Sequence, residues 1–153
     1  MGAKLVDGQE VLFRQIHPDL VQDGEPSSSS FRPKEADENK LSVDRGSMTT
    51  PADAFALYTS NGFKSVAVYG VSVRGFGDNG VPCEEDALLA TETLAANPAH
   101  ALASFDAYNT SKQKVVAKRI KKVAIARGIL HNPSAPAALS ADDDNGASSS
   151  STE

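Results

Sequence analysis

The run Val66-Ala67-Val68-Tyr69-Gly70-Val71-Ser72-Val73 carries no charge and places apolar residues at odd and even positions alike. Strict alternation marks a strand with one wet face, so its absence predicts a strand covered on both, and the branched side chains suit a pleated surface. A single small mixed sheet centred on residues 66–73 is the expectation. Val11 to His17, stopped by Pro18, predicts a first strand in which Arg14 shares a face with Leu12 and Ile16. A charge on a partly buried strand needs a partner or a water-filled cleft. Leu41-Ser42-Val43-Asp44-Arg45 alternates apolar with polar residues and predicts a short half-buried strand ending at Gly46.

Between the strands the period changes. Thr50-Pro51-Ala52-Asp53 supplies a hydroxyl cap, a proline at the first helical position and a carboxylate against the positive helix end. The helix it opens is expected over about 51–60, with Ala54, Leu57 and Tyr58 on one face and Asn61-Gly62 as the stop. Strand 41–45, this helix and strand 66–73 then make a strand-helix-strand unit with a connection long enough for a right-handed parallel crossover. A second helix is expected over about 111–127, where Val116, Ile120, Val123 and Ala124 form a stripe. Thr110-x-x-Gln113 reads as its capping box and Arg127-Gly128 as its end. Residues 82–96 read as a helix with Glu84, Glu85 and Asp86 in its first turn, weakened by Thr91 and Thr93. Residues 99–108 read as a helix capped by Asn97 or as a strand, with the balance towards strand although the alanine content opposes it. The fold class is α+β or α/β.

Residues 18–40 hold Asp23-Gly24, Pro26, four serines (Ser27 to Ser30), Pro33 and a charged run to Lys40, which predicts a long loop pinned to the core by Phe31. After His131 the chain turns to Pro, Ala, Ser and Asp. The expected organisation is a lead-in over 1–7, one domain over 8–131 and a disordered acidic tail over 132–153, since the tail has too little apolar surface to offset the entropy of ordering.

Charge sharpens this picture. The net value of −5 for 153 residues hides a division into blocks: residues 1–111 carry 8 Lys or Arg against 16 Asp or Glu, residues 112–131 carry 7 against none, and residues 132–153 carry four acids and no base. A basic helix thus stands between acidic segments, with Lys114, Lys118, Lys121 and Lys122 opposite its apolar stripe. The lone Cys83 excludes an internal disulfide framework and points to a reducing cytoplasm. Charge arrives at Lys4 and Asp7 before a signal-type apolar segment forms, and no run reaches the roughly 20 residues of a membrane span.

Candidate chemistry is sparse. His17, His100 and His131 are far apart and lack a partner cysteine pair, so no metal site is expected. Gly75-x-Gly77-x-x-Gly80 has the letters of a dinucleotide fingerprint but is flanked by Arg74 and Pro82, which favours an irregular turn. The acids after Cys83 raise a thiol pKa and argue against a nucleophile. Gly70 inside a strand marks close packing or the approach of a ligand.

Arg14 and His17 at the end of the first strand, the Ser27–Phe31 loop, Ser42 on the second strand and Glu84 or Glu85 after the third follow an order that resembles ADP-ribosyltransferase-type folds. That resemblance implies an arginine or histidine that grips NAD, a serine that supports it and a glutamate that stabilises the reacting centre; the chain lacks the Ser-Thr-Ser strand triplet of that pattern. The basic helix face is alternatively a weak, sequence-independent nucleic-acid surface, against which stand the acidic remainder and the absence of tryptophan. The primary expectation is a non-enzymatic cytoplasmic accessory protein of prokaryotic or phage type, without cofactor or membrane contact. It would bind a protein partner through the 18–40 loop and the basic 111–127 helix.

Overall fold

The computed structural model describes residues 2–133. In chain order these form β1 (Val11–Ile16), β2 (Val21–Gln22), β3 (Glu25–Pro26), β4 (Lys40–Arg45), α1 (Pro51–Ser60), β5 (Ala67–Ser72), α2 (Val73–Gly77), β6 (Cys83–Glu85), β7 (His100–Ser104) and α3 (Thr110–Arg127). Five strands make one sheet in the order β5-β1-β4-β7-β6, every neighbouring pair antiparallel, while β2 and β3 form a separate ribbon. The class is α+β. From residue 134 onward the expected tail lies outside the described residues.

The uncharged run is the sheet's edge strand, not its centre. Val68 and Val71, at 0% and 1% exposure, are as buried as central-strand residues because both faces of β5 are covered. The free edge is closed as well: Leu130 N–H donates to the Val68 carbonyl at 2.8 Å, and Val68 N–H donates to the His131 carbonyl at 3.0 Å. The far edge is treated alike, with Leu5 N–H donating to Cys83 and Glu85 N–H donating to Ala3, each at 2.9 Å. Terminal segments thus occupy hydrogen-bonding edges that would otherwise invite pairing with another chain. The apolar pattern reports coverage of the faces and says nothing of how many strands flank the run.

β4 and β5 run parallel to each other, as the strand-helix-strand unit predicts, but β1 lies between them and pairs antiparallel with both. α1 therefore crosses over a strand. The Thr50 hydroxyl accepts from Asp53 N–H at 3.1 Å, and Ala54 packs on Phe13 and Val68. Gly70 belongs to the close-packing reading, since a Cβ there would stand 2.6 Å from Leu130 Cδ1 and 2.7 Å from Val11 Cγ1.

On the opposite face α3 buries Val116, Ala117, Ile120 and Ala124 against Leu12, Ile16, Val71 and Phe31. Its cap is Asn109, one residue before the expected one: the Asn109 side chain accepts from Lys112 N–H at 2.9 Å. Gln113 is accordingly not a capping-box residue but donates to Asn39 Oδ1 and to the Tyr108 carbonyl. Phe31, fully buried at the end of a 3₁₀ turn over Ser28–Phe31, holds the 18–40 loop onto α3.

Residues 82–96 contain no helix. Cys83–Glu85 pairs with β7, which takes the strand option over His100–Ser104, and the chain then runs irregularly to Pro98. Gly75 and Gly77 lie in and at the end of α2, where the Ser72 hydroxyl accepts from Gly75 N–H at 2.9 Å. Glycines placed in this way open no long helix towards a phosphate. Among the described residues no helix is long and apolar enough to cross a membrane.

Candidate functional site

α1 packs on β1 and β5, and beside it the same face of the sheet continues across β4, β7 and β6. Register fixes what that face displays. Phe13 stands opposite Asp44 and Asp44 opposite His100; one row along, Ser42 stands opposite Leu102 and Leu102 opposite Glu84. Residues 88–97 fold back beside this surface through reciprocal backbone bonds between Leu88 and Asn97, each 2.9 Å. Two side chains tie the segment down. Asn61 Oδ1, just after α1, accepts from Ala95 N–H at 3.0 Å, and Asn97 Nδ2 donates to Asp44 Oδ1 at 2.8 Å.

A cleft of about 520 Å³ lies between α1, the sheet and the 88–97 segment. Its polar lining comes from the sheet (Arg14, Gln15, Ser42, Asp44 and His100), from Lys34 and Asp37 of the 18–40 loop, from Asn61 after α1, and from Thr91 and Asn97 of the fold-back. Its apolar lining comes from Phe13, Leu57, Tyr58, Phe63, Leu88 and Leu94. Phe63 is 47% exposed and Leu89, also in the lining, 87%, unusual values for large apolar side chains gathered at one place. Tyr58 and Phe63 are stacked with ring centroids 5.1 Å apart.

The electrostatics follow from burial. Desolvation holds the Asp44 carboxyl above the usual aspartate range, opposed by the Asn97 hydrogen bond and by His100 and Arg14. Burial also lowers the Arg14 pKa from its ordinary value, and Tyr58, Asp37 and Asp44 offset part of that shift. Arg14 spends its donors on backbone: Nε to the Ser30 carbonyl at 2.7 Å and Nη1 to the Ser42 carbonyl at 3.0 Å. His100 Nδ1 lies 3.0 Å from Asp86 Oδ2, which fixes the ring's orientation.

Gln15 is the exception to this pairing. It is 9% exposed, it lines the cleft, and neither its Nε2 nor its Oε1 has a hydrogen-bond partner. An enclosed, unpaired amide costs about 1–3 kcal/mol relative to a paired one.

The expected site residues divide. Arg14 and Ser42 meet in the cleft. His17 caps the turn over Pro18–Leu20, its Nδ1 accepting from Asp19 N–H at 3.0 Å, and is not in the cleft lining. Glu84 shares the row of Ser42 but lies two strand spacings away, about 10 Å. Glu85 faces the other way and sits 3.6 Å from Arg45 Nη1. Of the lysines, Lys114, Lys118 and Lys122 are exposed, whereas Lys121 pairs with Glu25 Oε1 at 3.3 Å. Cys83 is buried, which pushes its thiol up to about 12. Among the described residues no group of three or more His, Cys, Asp or Glu side chains is placed to hold a metal ion.

Sequence reasoning passed over Gln15, Asp44, Asn97 and His100 as a set. The available signal was Gln15 itself: an amide between Arg14 and Ile16, on a strand read as partly buried, with no charge to mark it. Comparison with protein-family models, with curated proteins and with solved structures finds no match.

Proposed function

We propose that this protein is a non-enzymatic accessory module that binds a small amphipathic molecule in the cleft between α1 and residues 88–97. The observation that carries the reading is the unpaired Gln15 amide lining a cavity that also gathers exposed apolar side chains. A volume of about 520 Å³ lies within the roughly 300–1,000 Å³ of small-molecule sites, which combine apolar walls with a few placed polar groups. An NAD-binding transferase has less support, because of its proposed residues only Arg14 and Ser42 line the cleft. Amide NMR with a fragment library tests the proposal: binders should move the Gln15 side-chain signals together with Asn61 and Ala95. A library without a compound that moves them contradicts it.

A second reading retains a macromolecular partner, favoured by a separate observation. Lys114, Lys118, Lys122 and Arg119 are exposed on α3, and among the described residues none has an ion-pair partner. Lys121 and Phe31 fasten the 18–40 loop to the same helix, so loop and helix form one surface. An acidic protein partner suits it, and a weak nucleic-acid contact would use the same lysines. Charge reversal at Lys114 and Lys118 should abolish capture of such a partner without changing the melting temperature; unaltered capture removes this reading.

A further inference from the structure

Resting on the reading of the cleft as a ligand site, we propose that its ligand carries a flat, uncharged amide edge, a lactam or primary carboxamide on an aromatic ring. A glutamine side chain presents N–H donors and a carbonyl acceptor side by side, and at Gln15 both are unused. A cis-arranged amide satisfies the two together, its carbonyl accepting from Nε2 and its N–H donating to Oε1. A charged head group fits less well. A carboxylate answers Nε2 and leaves Oε1 unpaired, a cation answers Oε1 and leaves Nε2 unpaired, and the lining charges, Arg14 and Lys34 against Asp37 and Asp44, balance and favour neither.

The apolar lining selects for shape. Tyr58 and Phe63 stack at an interplanar angle of 30°, and the half-exposed Phe63 ring offers a face that a planar molecule can extend. Leu88 and Leu94 supply aliphatic contact in the same cavity. Both Gln15 amide atoms are enclosed, so pairing requires the side chain to turn towards the cleft or the 88–97 segment to lift. Among the described residues two side-chain hydrogen bonds, at Asn61 and Asn97, tie that segment down.

The test uses the full chain and three probes, α-pyridone, carbostyril and benzamide, each against the counterpart whose nitrogen is fully methylated (N-methyl for the two lactams, N,N-dimethyl for benzamide), in which the donor is removed. Titration followed by amide NMR should show at least one parent compound binding in the cleft about tenfold or more tighter than its N-methylated form, the loss of one good hydrogen bond. In Gln15→Met that difference should disappear while the protein stays folded. Equal binding of parent and methylated compounds overturns the amide class but leaves the cleft a ligand site. Failure of all three parents to bind also overturns the class, and the fragment library then decides the fate of the cleft reading. A parent-to-methyl difference that survives in Gln15→Met overturns the assignment to Gln15.

Discussion

Arg14 Nη1 donates to the Ser42 carbonyl at 3.0 Å, at the place where the β1–β4 ladder ends. The registered pairs are Leu12 with Arg45 and Phe13 with Asp44, and continuing the register would set Arg14 against Val43 and then Gln15 against Ser42. The guanidinium takes that carbonyl instead, and with Nε it holds Ser30 of the 18–40 loop. One side chain therefore wedges the two strands and anchors the loop, which places Gln15 beside the cleft without a ladder partner across β4.

Arg14 is accordingly a structural cation. Arg14→Leu strands the part-buried Ser30 carbonyl and returns the exposed Ser42 carbonyl to water, and should lower stability by about 1–3 kcal/mol in urea denaturation, the cost of one buried unpaired acceptor. An unchanged midpoint would remove the wedge from this account.

Val68 lies against Ala54 and Phe13 with no exposed surface, whereas Lys118 faces solvent. Val68→Asp should fail to fold, because the carboxylate has neither water nor partner, and Lys118→Asp should melt within a few degrees of wild type. Circular dichroism distinguishes them; a stable Val68→Asp protein would contradict the covered edge strand.

Asp44 supplies a pH signature. Its carboxyl is raised by burial, so folding disfavours the charged form. The protonated form carries no such penalty: Asp44 favours folding below its unfolded value of about 4, and that contribution is lost as pH rises through the folded value. Asp44→Asn, which can still accept from Asn97, should therefore melt above wild type at neutral pH, with the gap closing on acidification below about pH 4. A gap that widens towards acid would reverse the sign and the argument.

The 88–97 segment depends on Asn61 for one of its two side-chain ties. Asn61→Ala should leave global stability within about 1 kcal/mol of wild type while speeding hydrogen exchange at Ala95, Leu88 and Asn97. Unaltered exchange would mean that the segment is held by its own backbone bonds.

The sequence made some of this legible and hid the rest for physical reasons. Helix 51–60 was readable because Thr50, Pro51 and Asn61 act locally, and Phe31 because one aromatic in a polar loop has few other places to go. β5 was misplaced because burial by α1, α3 and the Leu130–His131 segment imitates burial between strands. The Thr110 box failed by one residue because Asn109 is the competing cap and Gln113 finds partners in Asn39 and Tyr108. The cleft was hidden because Gln15, Asp44, Asn97 and His100 are united by register and by a fold-back, neither of which has a local pattern.

A Gln15 amide that serves a ligand costs the protein stability when no ligand is bound. Thermal and urea unfolding of Gln15→Met against wild type, without any compound present, measures that cost. Methionine fills similar space without a polar atom, so the variant should be more stable by about 1–3 kcal/mol. A variant less stable than wild type would show that Gln15 is satisfied in the folded protein, and the case for a ligand in this cleft would fall with it.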